Sequence, residues 1–181
     1  MPQLSLSGLA VPVRDARSPD RQGIRGVLLA AYREYAAVLP PAVFGPYLAD
    51  ILDLDARARS GRLLVAEHAG RVAGTVTCYG DAASEGLGWP SGWAGLRALG
   101  VDPALRRLGI GRALVEASRQ RAAAAGAPVL CLHTAAFMPA AVSLYEAMGF
   151  RRAPAFDLDV PGHRPAGARP VRLLAYRLDL A

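Results

Sequence analysis

The sequence of 181 residues contains no lysine and no asparagine. The first absence has a chemical consequence. A P-loop nucleotide site uses the lysine of GxxxxGK[ST] to reach the β and γ phosphates, so that class is excluded. Long apolar runs are missing too: none approaches the ~20 residues that span a bilayer, and no membrane partner is expected. The opening residues MPQLSLSGLAVPV have no basic segment, and their short apolar stretch is broken by serines and Pro12, so no signal peptide is expected. Cysteine is scarce. Cys78 and Cys131 each sit in an apolar, strand-like run without a CxxC or a nearby histidine pair. Two reduced core thiols in a cytoplasmic protein are expected, and no metal site.

In place of lysine the chain carries 21 arginines, giving a net charge of +6. They are scattered along the sequence and are not gathered into one basic stripe. Together with the abundance of Ala, Gly and Pro this reads as a coding bias, so nucleic acid is not the expected partner. The length suits one well-buried domain, here residues 11–181 after a loose tail at 1–10. A homodimer is left open.

Periodicity gives the order of elements. Residues 11–16 read as a short strand. Ile24, Val27, Leu28, Ala31 and Tyr35 share one helical face after the start signal Ser18-Pro19-Asp20. Leu39-Pro40-Pro41 ends that helix, and a second runs from Val43 to Arg59. RLLVAEHAGRVAGTVTCYG is a hairpin turning at Ala69-Gly70. Residues 81–92 form a loop and residues 93–101 a strand. A helix then follows up to Gly126, VLCLHT is a strand covered on both faces, and Met138–Met148 is a further helix. FRRAPAF and VRLLAYRL are the last strands, on either side of a Pro/Gly-rich loop at 161–170. This order describes an α/β, mixed sheet with helices on both faces.

The informative stretch is Arg106-Arg107-Leu108-Gly109-Ile110-Gly111-Arg112, which opens a helix. The first N–H groups of a helix lack intrahelical partners and carry the positive end of the dipole, so an unobstructed start is an anion site. A dinucleotide fingerprint fits poorly: its sixth position is Leu114, and the next strand supplies no acid at the expected place.

Residues 94–150 resemble the core of the GNAT superfamily of acyl-CoA-dependent N-acyltransferases. The likeness rests on a strand ending LRALGVDP, on the loop [RQ]-x-x-G-x-[GA] matched by residues 106–111, and on A-x-x-L-Y-E-x-x-G-F matched by residues 141–150. It implies an α+β fold with a mostly antiparallel central sheet. It also implies an enzyme that moves an acetyl group from acetyl-CoA to the amine of a small acceptor, by direct transfer in a ternary complex. On this pattern the backbone of Leu99, Gly100 and Val101 pairs with the pantetheine amides as an added strand would. Arg106, Arg107, Leu108, Gly109, Ile110, Gly111 and Arg112 hold the pyrophosphate, where a Cβ at either glycine would stand between donor and ligand. The N–H of Val101 or a neighbour serves the oxyanion, and Tyr145 contacts the coenzyme and protonates its departing thiolate.

The general base does not follow from the resemblance. Many members place a glutamate on the strand before the loop, where this chain has Gly95. His133, at the end of the apolar strand and near the cleft, is the first candidate; Glu67, Asp81 and Glu85 are further ones, Glu85 in a loop able to close over the site. Met138 stands where an asparagine often begins the tyrosine helix. These departures also allow a catalytically silent acyl-CoA sensor. Tyr32, Glu34, Tyr35, Phe44, Tyr47, Asp50, Asp53 and Asp55 are expected to line the acceptor side.

Overall fold

The computed structural model describes residues 11–160 and 171–180; the expected tail at 1–10 and the loop at 161–170 lie outside them. In chain order the elements are β1 (Val13–Asp15), α1 (Arg21–Tyr32), α2 (Pro41–Leu52), α3 (Leu54–Ser60), β2 (Gly61–His68), β3 (Arg71–Tyr79) and β4 (Ala94–Val101). They continue with α4 (Ile110–Ala124), β5 (Val129–Ala135), α5 (Pro139–Ala147), β6 (Arg151–Arg152), β7 (Leu158–Val160) and β8 (Val171–Asp179). The eight strands make one sheet in the order β1-β2-β3-β4-β5-β8-β6, with β7 also on β8. Every neighbouring pair is antiparallel except β4 and β5.

Strand alternation decides which helices cover which face. Leu64 and Ala66 of β2 join Val76, Leu96, Leu114, Leu130 and Leu132 in a core under α4 and α5. Val65, between them, faces Ile24, Leu28, Ile51 and Leu54 of α1, α2 and α3 on the opposite side. A third cluster, Ala82, Trp89, Cys131 and Ala175, lies beneath the segment joining β3 to β4. Both cysteines are free thiols inside strands, as their runs suggested.

Three details differ from the periodicity. α1 ends at Tyr32, and Tyr35, expected on its face, lies in the 3-10 segment Arg33–Ala37. The helix expected over 43–59 is two helices, because Asp53 leaves the helical region (ψ 78°) and caps α3 by accepting from Ala56 N–H at 2.8 Å. FRRAPAF is not a continuous strand. Pairing stops after Arg152, and a 3-10 turn fills Pro154–Phe156. Ala153 N–H still donates to the Ala175 carbonyl at 2.9 Å, but Ala175 N–H donates to the Asp157 carboxylate, at 2.8 Å, which also binds Arg152 through two hydrogen bonds of 2.8 Å.

Candidate active site

β4 and β5 pair only at Ala94↔Leu130 and Gly95↔Cys131. Beyond that seam the strands part, so the β5-facing backbone of β4 from Leu96 onward has no strand beside it. A bulge lies in the same stretch. Thr75 faces Gly100 and Thr77 faces Arg97, so Ala98 and Leu99 together oppose one residue of β3. Ala98 takes up the distortion in the left-handed region, at φ 53°, a conformation costing a non-glycine residue of order 1 kcal/mol or more. The Leu99 carbonyl is held by the Tyr32 hydroxyl, which donates to it at 3.1 Å.

At the end of β4 the chain turns through Arg107 (φ 68°) and Gly109 (φ 78°) into α4. No side chain caps that helix, so the N–H groups of its first turn face outward without a protein partner. A Cβ on Gly109 would meet nothing within 4 Å, and glycine is suited there by its backbone conformation. A Cβ on Gly111 would lie 3.2 Å from Leu144 Cδ2 and 3.7 Å from Val101 Cγ2, so this glycine lets α4 approach α5 and β4. Arg106, Arg107, Leu108 and Arg112 are exposed around the turn. Arg106 makes a two-armed ion pair with Glu34, at 2.9 and 3.0 Å, bridging the turn to the segment after α1. An exposed pair of this kind contributes little stability, and a phosphate can compete for the guanidinium. The geometry fits a pyrophosphate, with exposed donors, an unobstructed glycine and arginines on its rim.

Tyr145, on α5, is 4% exposed and packs on Phe150 at 5.6 Å between ring centres. Burial, with the Tyr32 and Tyr35 hydroxyls adding to it, pushes its pKa well above the ordinary phenol value, so the group keeps its proton across the working pH range.

Opposite α4 and α5, aromatic rings gather. Tyr32 lies 5.9 Å from both Tyr35 and Tyr47, and Tyr35 lies 5.4 Å from Phe137. Of the acids expected there, Asp50 pairs with Arg97 of β4, whereas Asp55 pairs outward with Arg21 and Asp53 is occupied as a cap. Glu67 pairs with Arg14 near the β1 edge of the sheet. Asp81 accepts from Ala83 N–H, Ser91 Oγ and Gly92 N–H, tying the 81–92 segment together.

That segment delivers Glu85. The 3-10 turn Ala82–Glu85 lies directly over Gly95, where an added Cβ would sit 2.9 Å from Ala82 Cβ and 3.0 Å from Glu85 Oε1. A side chain at position 95 and this turn exclude each other. The Glu85 side chain is 3% exposed; its Oε2 has no hydrogen-bond partner, with Arg97 Nε as its nearest cation at 4.0 Å. Desolvation is the main influence on the carboxyl and raises its pKa to about 7. Arg97 opposes that rise and Asp50 adds to it. A carboxyl near pKa 7 can take up and release a proton at neutral pH.

His133 lies on β5, stacked against Trp89 at 4.4 Å between ring centres. Its Nε2 donates to the Phe156 carbonyl at 2.8 Å, and its Nδ1 is buried without a partner. Burial lowers its pKa, so the ring is neutral. Met138 is buried at the start of α5 with its sulfur 3.8 Å from Thr134 Oγ1. Among the described residues no group of acids, histidines and cysteines is arranged for a metal ion, and no helix is long and apolar enough to cross a membrane. Arg57 and Arg97 are absent from the sequence expectations: one arginine among 21 carries no local signature.

Residues 28–150 match the acetyltransferase (GNAT) family. No curated protein matches the sequence. The fold is similar to that of PaiA N-acetyltransferase from Thermoplasma acidophilum in complex with coenzyme A, with TM-score 0.70, 13% identity, and coverage of 94% of this chain and 99% of that one. It is also similar to yncA from Salmonella typhimurium with its cofactor acetyl-CoA, with TM-score 0.63, 21% identity and 94% of each chain covered. A third likeness is to the ribosomal-protein-S18-alanine N-acetyltransferase from Escherichia coli, with TM-score 0.62, 19% identity and again 94% of each chain.

Proposed function

Because the chain belongs to the GNAT family of acetyltransferases, we propose that it moves an acetyl group from acetyl-CoA to the primary amine of a small acceptor, directly and within a ternary complex. The observation that carries this reading is the divergence of β4 from β5 after a two-residue seam, bordered by the uncapped start of α4. An extended pantetheine can lie along the β5-facing edge of the Leu99, Gly100 and Val101 stretch, where the Tyr32 hydroxyl holds the Leu99 carbonyl, while the pyrophosphate takes the N–H groups of residues 108–112 and the rim arginines Arg106, Arg107 and Arg112. The two free thiols suit the reducing cytoplasm.

In this reading Glu85 is the base. An ammonium of pKa near ~10 is about one part in a thousand neutral at pH 7, so deprotonation needs help. Glu85 accepts that proton, the amine nitrogen bonds to the thioester carbonyl carbon, and a backbone N–H of β4 at Leu99–Val101 steadies the oxyanion. The carbon–sulfur bond then breaks: the thiolate takes its proton from Tyr145, the second proton of the attacking nitrogen restores the phenol, and Glu85 returns its proton to solvent. His133 is less suited to the base role, because its Nε2 is committed to the Phe156 carbonyl and its ring is stacked on Trp89. The rival reading, a silent acyl-CoA sensor, draws its support from Gly95 and Met138; Glu85 standing over Gly95 supports the enzyme reading at the first of these positions.

Calorimetric titration with acetyl-CoA, CoA and ATP, followed by thiol release with a panel of amines, tests the reading. Micromolar acetyl-CoA binding with much weaker ATP binding, and turnover with at least one amine, are expected. Binding without turnover of any amine would favour the sensor, and no binding would remove both. Tyr145→Phe is expected to reduce kcat roughly 10- to 100-fold with little change in the KM for acetyl-CoA; unchanged kcat would move the acid elsewhere.

A further inference from the structure

The acceptor side of the sheet holds more positive charge than its acids neutralise. Arg57 of α3 is 3% exposed. One Nη donates to Thr77 Oγ1 at 2.7 Å and the other to the Ile51 carbonyl, and Nε has no partner. No carboxylate among the described residues forms an ion pair with it. Buried guanidinium groups are ordinarily paired, because the desolvation cost is otherwise unmet. On the next strand, Arg97 stands across from Thr77, on the same face of the sheet. Its acidic neighbours are Asp50, which is half exposed, and Glu85. Two guanidinium groups thus share one full carboxylate and one carboxyl that must be neutral for part of each turnover.

Resting on the acetyltransferase reading, we propose that the acceptor is an α-amino acid, its amine facing Glu85 and its carboxylate bound by Arg97. The two recognition groups are 4.0 Å apart, matching a ligand whose amine and carboxylate are joined through a single carbon. Arg97 offers the forked donors that a carboxylate takes in two-point fashion. Its ion pair with Asp50 is partly exposed and readily exchanged. Arg57, behind it, does not touch the ligand and contributes the unmatched charge. The Tyr32 and Tyr47 rings, 5.9 Å apart on this side of the sheet, supply apolar surface for the acceptor's side chain. Other acceptors fit less well. A polyamine brings a second cation toward two arginines, and a peptide N-terminus or a protein lysine has no carboxylate beside its amine.

The test compares each of the standard L-amino acids with its carboxamide, using thiol release for kcat/KM and calorimetric titration of the CoA-loaded protein for binding. At least one acid is expected to exceed its amide by roughly 30-fold or more, the scale of replacing a charged partner of a guanidinium with a neutral one. Arg97→Gln is expected to bring that ratio near one while leaving acetyl-CoA affinity unchanged. Amides turned over as well as acids, or a preference that survives in R97Q, would overturn the inference while leaving acetyl transfer intact. If no amine is acetylated, acetyl transfer itself fails. The titration still decides the acceptor in that case: binding of an acid but not its amide upholds the carboxylate site, and binding of neither overturns it.

Discussion

Glu85→Gln is expected to lower kcat by about 10²- to 10⁴-fold with acetyl-CoA affinity unchanged, the range associated with removing a positioned general base. The pH profile carries the stronger signature. Burial holds the Glu85 carboxyl near pKa 7, so its basic form declines as pH falls through 7 and kcat/KM falls with it, about tenfold per pH unit at the acid end. The glutamine variant should lack this limb. Stability gives an independent sign. The folded pKa lies above the unfolded carboxyl value of 4.5, so the folded state binds more protons between pH 4.5 and 7, and stability falls as pH rises across that window. Glutamine removes this loss. E85Q should therefore gain on the wild type between pH 4 and pH 8, by an amount on the order of 3 kcal/mol at most. Thermal unfolding at the two pH values, read beside the kinetics, checks both. A wild-type level of kcat in E85Q would assign the base to another residue.

Gly111→Asp is expected to raise the acetyl-CoA dissociation constant at least 100-fold, the effect of about 2.7 kcal/mol or more. The position lies in the first turn of α4. An aspartate there occupies the outward N–H groups with its own carboxylate and sets a negative charge against the incoming pyrophosphate. Its Cβ also falls 3.2 Å from Leu144 Cδ2, the end of a side chain that can yield. The fold should survive, because acids are favoured in the first turn of a helix. Circular dichroism and unfolding would establish that, and titration would read the affinity. A folded variant with unchanged affinity would place the coenzyme on a different surface.

The periodic parts of the chain were legible because one physical signal governed each. Of the face Ile24, Val27, Leu28, Ala31 and Tyr35, the first four are buried on α1 and Tyr35 lies past its end; the hairpin turns at Ala69 and Gly70, both left-handed. Two sequence motifs at a fixed separation mark the family. The break at Asp53 was hidden because Val43–Arg59 keeps its apolar pattern across the cap. Of the residues of the first two helices, Tyr32, Tyr35 and Tyr47 pack together and Asp50 pairs with Arg97, but Asp53 and Asp55 serve the helices. The relation of Glu85 to Gly95 could not be read, since it depends on a loop folding back over a strand ten positions away. Arg57 and Arg97 gave no signal for a similar reason. Their meaning lies in which charges fail to surround them.

The aromatic stack under the 81–92 segment has a spectroscopic consequence. The sequence has two tryptophans, and both are here: Trp89 and Trp93 lie 6.2 Å apart, each over Phe156. All the indole emission of this protein therefore arises from the wall that carries Glu85. Any ligand or substitution that lifts that wall will register in the intrinsic fluorescence, with no label attached.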